Sequence, residues 1–221
     1  MHLPADPVVD LPADHLLFDA PCHAGSLPPP GSRREPGRKF FSSAFRRLAR
    51  QRRLPQPARL ENECLFSPDR QHRYSLIHRW NPRLQEKLIL WIGLNPSTAD
   101  EAQLDPTLTR IASFSKREGF DGFWMANLFA VRTPHPKIMM AASDPVGPAT
   151  DAELLRAAER CEQIVAAWGV GGEFQDRGAA VARLFAGKKL WCLGQTLAGH
   201  PRHPLYVAGK QPLVRWAPAA G

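Results

Sequence analysis

KLILWIG at 87–93 runs straight into LNPSTAD at 94–100, and this junction decides how the chain folds. From Leu88 onward the first stretch is apolar without alternation, the pattern of a strand buried on both faces of a parallel sheet. The second stretch changes character at once. Pro96 removes a backbone donor and fixes φ, so the chain must turn sharply and Asn95 is held where the strand emerges. In an open α/β sheet, ligands bind outside the carboxyl ends of the strands, where helix N-termini supply donors and positive potential. Polar residues carried to that edge by apolar strands are therefore the candidates for function.

Working outward, Gly122–Val131 (GFWMANLFAV) reads as a second strand running into NLFAVR at 127–132. Gln163–Gly169 (QIVAAWG) reads as a third and Lys189–Gly194 (KLWCLG) as a fourth, leading to GHPRHPLY at 199–206. Helices fit between them. In PTLTRIASFSKRE at 106–118, Leu108, Ile111, Ala112 and Ser115 recur at helical spacing and Pro106 suits the first turn. Thr150–Glu162 and Asp176–Phe185 also read as helices. Strands alternating with helices imply right-handed crossovers and a parallel sheet. Ahead of these, Glu63–Phe66 and Arg73–Arg79 flank SPDRQH, whose Ser67-Pro68-Asp69 suits the turn of a small antiparallel hairpin.

At 221 residues and 43% apolar content the chain can build one sizeable core, read here as a single α/β domain over residues 60–221. No stretch approaches the roughly 18 consecutive apolar residues of a membrane span, and MHLPADPVVDLPAD lacks the basic-then-apolar order of a secretory signal. A soluble, cytoplasmic protein with no membrane partner is expected. Cys22, Cys64, Cys161 and Cys192 form no C-x-x-C pair, which favours free thiols over a zinc site or an iron–sulfur cluster. The net charge of +8 is concentrated in residues 33–59, where ten Lys or Arg face Glu35 alone; residues 1–32 hold four Asp and neither Lys nor Arg. Residues 1–59 read as a disordered, basic N-terminal extension rich in Pro and Gly. Within it KFFSSAFRRLARQRRL at 39–54 fits a basic amphipathic helix that touches nucleic-acid phosphates or an anionic surface, or else a solvated arm.

Chemistry-bearing residues gather at the strand ends. Asn95, Ser97 and Thr98 either line a site or cap the next helix, a common task for these residue types. Asp100 and Asp105 either orient a water or substrate hydroxyl or favour a helix N-terminus. The amide of Asn127 can present an acceptor and two donors to the edge of a heterocyclic base, or satisfy a turn. Arg132 can hold phosphate bidentately, and Trp168 can stack a ring or pack in the core. His200, Arg202 and His203, stiffened by Pro201 and Pro204, can stabilise an anion or charge developing on a leaving group. A metal held by His200 and His203 lacks an evident third ligand, so neither metal nor cofactor is expected. G-x-S-x-G, the P-loop pattern and G-x-G-x-x-G are all absent, which disfavours a serine hydrolase, a nucleotide kinase and a dinucleotide dehydrogenase.

Taken together, CLFSPD at 64–69, GLNPSTAD at 93–100, DPTLTR at 105–110, NLFAVR, PVGPATD at 145–151, AAWG at 166–169, LG-x-T at 193–196 and GHPRHPLY resemble the bacterial and phage family called domain of unknown function 1643, over roughly residues 60–216. More distantly, Gly93-Leu94-Asn95-Pro96, Asn127, Trp168-Gly169 and His203-Pro204 resemble, in the same order, the strand-end motifs of the uracil-DNA glycosylase superfamily. That resemblance implies a three-layer α/β/α sandwich with a four-stranded parallel sheet. It also implies that Asn95 positions a hydrolytic water, that Asn127 reads a base edge, and that His203 or His200 stabilises charge on the departing base. The chain departs from those glycosylases at Ser97-Thr98 and in lacking the second Ser-Pro spacing of their DNA-intercalating loop.

The expected catalytic set is Asn95, His203, His200 and Asp100; the expected substrate-binding set is Pro96, Ser97, Thr98, Asp105, Asn127, Arg132, Trp168 and Arg202. The expected function is binding of a nucleobase, in nucleic acid or a nucleotide, with hydrolysis of an N-glycosidic bond. A non-catalytic nucleotide or nucleic-acid binding module, and a small-molecule hydrolase or transferase using Asp100 or Asp105 with His203, are the alternatives.

Overall fold

The structure is a computed structural model that describes residues 62–81, 85–97, 99 and 103–218. The N-terminal extension with its expected basic helix, and the candidates Thr98 and Asp100, lie outside the described residues. Among those described, one sheet contains β1 (Asn62–Phe66), β2 (Arg73–Arg79), β3 (Leu88–Gly93), β4 (Gly122–Asn127), β5 (Gln163–Ala166), β6 (Leu190–Cys192) and β7 (Val214–Trp216), in the spatial order β1-β2-β4-β3-β5-β6-β7. The central strands β4, β3, β5 and β6 are parallel. At the margins the β1–β2 hairpin joins β4, and β7 joins β6, both antiparallel. The expectation of a four-stranded sheet is therefore corrected to a mixed sheet of seven. The three residues of β7 are too few to show a period of their own, and the hairpin's attachment to β4 is a long-range pairing that local pattern does not encode.

Among the described residues four helices accompany the strands: α1 (Pro106–Arg117), α2 (Pro136–Met140), α3 (Thr150–Arg160) and α4 (Arg177–Leu184). Alternation along β3 sends Leu90 and Ile92 into a core shared with Leu154 and Ala157 of α3 and Val181 of α4. Ile89 and Trp91 enter a second core with Leu108, Ile111 and Phe114 of α1. The sheet is thus covered on both faces, which is why β3 has no polar alternation. Each of the Leu, Ile, Val and Phe side chains contributes about 1.5–3 kcal/mol by leaving water. Trp91, fully buried, satisfies its ring N–H on Ser115 Oγ at 3.0 Å, and Ser115 donates in turn to the Ile111 carbonyl at 2.8 Å.

This topology places the site. From β3 the chain leaves toward α1 on one face, and from β5 toward α4 on the other, so the strand order reverses beside β3 and a crevice opens at the carboxyl ends. Parallel pairing sets Gly93 level with Asn127, so both strands end flush at that crevice. The chain stays anchored beyond the strand ends, with Leu128 N donating to Gly93 O at 2.9 Å and Ala167 N to Ile92 O at 2.8 Å. Arg177, almost buried, donates from Nε to the Leu128 carbonyl at 2.9 Å and pairs with Asp151, fixing the backbone one residue past Asn127.

No helix among the described residues is long and apolar enough to cross a membrane. Cys161 and Cys192 are free thiols. Burial pushes the Cys161 thiol up to about 12, so it is not a nucleophilic thiolate at neutral pH.

Candidate functional site

A cavity of about 990 Å³ opens beyond the carboxyl ends of β3, β4 and β5. It is walled by the turn after β3, by Thr133 to Pro136, by Trp168 to Gly171 and by the segment from Thr196 to Tyr206. Of the candidates read from the sequence, Asn95, Ser97, Asp105, Asn127, Trp168, Arg202 and His203 line it. The volume is at the upper end of the range of small-molecule pockets.

Asn127 closes β4 and faces the cavity with 1% of its surface exposed. Neither its Nδ2 nor its Oδ1 has a hydrogen-bond partner. Leaving a buried polar group unmade costs about 1–3 kcal/mol, and here the donor and acceptor of one amide are both unmade. The amide lies where it does because its neighbour is glycine: a Cβ on Gly93 would stand 2.8 Å from Asn127 Oδ1 and 2.5 Å from Met125 Cε.

Asn95 is held differently. Its Nδ2 donates to the Thr133 carbonyl at 2.7 Å and to the Pro96 carbonyl at 3.2 Å. Two acceptors on one side fix the amide's orientation and leave Oδ1, which no described residue bonds, as its remaining acceptor. Pro96 itself is buried behind the site, its carbonyl also accepting from Thr133 N at 2.9 Å, so it shapes the turn and does not line the cavity.

The helix cap falls to Asp105. Its Oδ1 accepts from Leu108 N at 2.8 Å at the start of α1, while Oδ2 accepts from the Ser97 hydroxyl. That hydroxyl also receives Ala99 N at 3.4 Å, so Ser97 and Asp105 together hold the turn after β3 against α1. Replacing Asp105 with alanine is expected to cost about 1–2 kcal/mol in denaturant unfolding, the loss of an N-cap; the same unfolding midpoint as wild type would show that the cap contributes nothing.

His203 heads the short 3₁₀ turn Pro204–Tyr206, and its Nδ1 accepts from Leu205 N at 3.3 Å. With Nδ1 an acceptor, the neutral ring carries its proton on Nε2. Burial holds the imidazole below its usual range, and the negative charge of Asp105 acts in the opposite sense. A neutral donor is therefore present at neutral pH. The His203 segment is pinned to the end of β5 by Gly169, whose N donates to Pro201 O at 2.9 Å and whose φ of +69° suits a residue without a side chain.

Other candidates are placed elsewhere or doubly occupied. His200 is not among the lining residues: Nε2 meets Glu173 Oε1 at 2.6 Å, clasping the two loops that border the cavity. Its ring and that of His203 thus serve different partners. Arg132 also lies off the cavity, its guanidinium 5.3 Å from the Phe66 ring. Trp168 lines the wall but belongs to the core, edge-on to Trp216 at 5.2 Å. Arg202 is exposed at the mouth, Nε donating to Gln195 O at 3.0 Å.

Among the lining residues that the sequence reading did not single out are Arg73 and Thr133. Arg73 is 2% exposed and donates from Nη1 to the Ala99 carbonyl at 2.5 Å; its signal was a charge at the head of an otherwise strand-like segment. Thr133, which supplies Asn95 with a carbonyl, had none. Among the described residues no group of three His, Cys, Asp or Glu side chains is arranged to hold a metal ion.

Fold and cavity define the class: an α/β domain with a mixed sheet and a mainly apolar cavity, with a few polar side chains, at the carboxyl ends of its parallel strands. The chain belongs to the family described as Protein of unknown function (DUF1643), whose model matches residues 73–205. That span runs from the head of β2 through His203, and leaves β1 and β7 outside. No curated protein and no solved structure matches the chain significantly.

Proposed function

We propose that this is a glycosylase-like protein whose cavity takes a nucleobase, carried by nucleic acid or by a nucleotide, and that its reaction is hydrolysis of an N-glycosidic bond. The observation that carries the reading is the Asn127 amide, buried at the cavity with both ends unpartnered. Its complement is a heterocycle edge on which an acceptor and a donor are adjacent, as on a nucleobase. The parallel order β4-β3-β5-β6, with helices on both faces, supports the finer reading of a glycosylase-like sandwich extended by β1, β2 and β7.

In this reading Asn95 Oδ1 accepts a hydrogen bond from a water and aims its oxygen at the anomeric carbon. As that oxygen bonds to carbon, the carbon–nitrogen bond breaks and its electron pair leaves with the base. His203 Nε2–H donates to the base where negative charge gathers, and the water's proton passes to solvent or to the released base. Asp105, already accepting from Ser97 and Leu108, is less suited to serve as a free base, which counts against a hydrolase built on that residue.

The test is a base-release assay on oligonucleotides carrying deaminated and alkylated bases and on the matching free nucleotides, with binding measured alongside. Release of free base supports the full reading, and binding without release reduces it to a nucleotide or nucleic-acid binding module. The absence of both binding and release overturns it.

A further inference from the structure

We infer that the mouth of the cavity is a docking surface for single-stranded nucleic acid, so that the base entering it belongs to a strand and not to a free nucleotide; this rests on the reading of the cavity as a base site. The mouth is apolar where a surface is expected to be polar. Leu197 is wholly exposed, Tyr206 is 80% exposed and Val170 61%, and all three border the opening. Exposed apolar side chains gathered around one cavity mark a surface that something covers.

The backbone holds them there rigidly. Leu197 stands at the tip of a tight hairpin in which Thr196 N donates to His200 O at 2.9 Å and Gly199 N to Thr196 O at 3.0 Å. Gln195 and Pro201 close the hairpin as an antiparallel bridge, and the Trp216 ring N–H anchors it through Gly199 O at 3.1 Å. Tyr206 leans on the His203 ring, 5.4 Å between centroids.

A mononucleotide seated against Asn127 lies inside the cavity and leaves a hairpin tip in water. The neighbouring bases of a strand reach it, and bases stack on aromatic and apolar platforms without regard to sequence. Charge selects this occupant over a protein or a lipid surface. Arg202, fixed through N and Nε to Gly194 O and Gln195 O, presents its terminal nitrogens at the same mouth, where a phosphate would lie. Among the described residues the one lining carboxylate, Asp105, is occupied by Ser97 and Leu108.

Fluorescence anisotropy of a fluorescein-labelled single strand of about 12 nucleotides, with the mononucleotide as competitor, tests this on the full chain. Wild type is expected to prefer the strand. In the Leu197→Ala, Tyr206→Ala double variant, which melts with the wild type because both side chains are exposed, the ratio of strand to mononucleotide affinity is expected to fall about tenfold or more. Arg202→Gln is expected to flatten the salt dependence of strand binding. An unchanged ratio in the double variant overturns the proposal. So does wild type that ignores the strand but sediments with phosphatidylcholine vesicles. If strand affinity falls in the double variant yet is untouched by Asn127→Leu, the base-site reading fails and the docking surface stands.

Discussion

Asn127→Leu is expected to melt above the wild type and to bind no base. In the wild-type fold the buried amide forgoes hydrogen bonds at both Nδ2 and Oδ1. An apolar side chain at that position removes the desolvation cost without losing any bond. The gain is about 1–2 kcal/mol, or roughly 3–6 °C for a domain of this size. Overpacking does not cancel it, because leucine branches at Cγ with the same number of heavy atoms as asparagine and the position borders the cavity. The same substitution erases the donor–acceptor pair that a base edge would meet, so mononucleotide binding is expected to disappear. Thermal unfolding and equilibrium binding on one preparation decide the matter. A lower melting temperature with binding intact would make Asn127 a structural residue and remove the main support for a base site.

That trade between stability and recognition was invisible in the sequence, although the residue itself was not. NLFAVR at the end of an apolar run was enough to place Asn127 at a sheet edge, and GLNPSTAD enough to place Asn95 beside it. Strand periodicity and the φ restriction of Pro96 are local, and local signals survive in one dimension. Partners are not local. His200 meets Glu173, 27 positions away, and only the folded loops show that the imidazole faces a carboxylate and not the cavity. Likewise Asp105 and Ser97 were legible as polar residues near a helix start, but which of them capped α1 depended on the path of the turn between them. Arg73 was read as part of a strand because nothing in RYSLIHR reveals that its first guanidinium turns inward to the Ala99 carbonyl. The sheet's width failed for the same reason: β7 has three residues, and its place beside β6 is set by pairing and by Trp216 packing on Trp168, not by its own pattern.

His203→Ala is expected to slow base release about 10²- to 10³-fold, the effect of deleting a single donor aimed at developing negative charge. The direction of the pH dependence follows from burial. Because the folded imidazole titrates below its ordinary value near 6.5, it is neutral and donates from Nε2 throughout the neutral range. The wild-type kcat/KM is therefore expected to hold level down to about pH 6.5 and to fall only as acidification reaches the lower folded value. Stability moves in the same sense. Between the two values the unfolded chain binds the proton and the folded chain does not, so the contribution of His203 is complete above the unfolded value and is lost as pH falls through the folded one. Asp105→Asn keeps the cap oxygen but removes the charge that favours the imidazolium, and is expected to move the acid limb to still lower pH. His203→Gln is expected to lose that limb altogether. A wild-type rate that instead rises on acidification through this window would mean that the imidazolium is the working form, and that His203 protonates the leaving base instead of donating to it as a neutral ring.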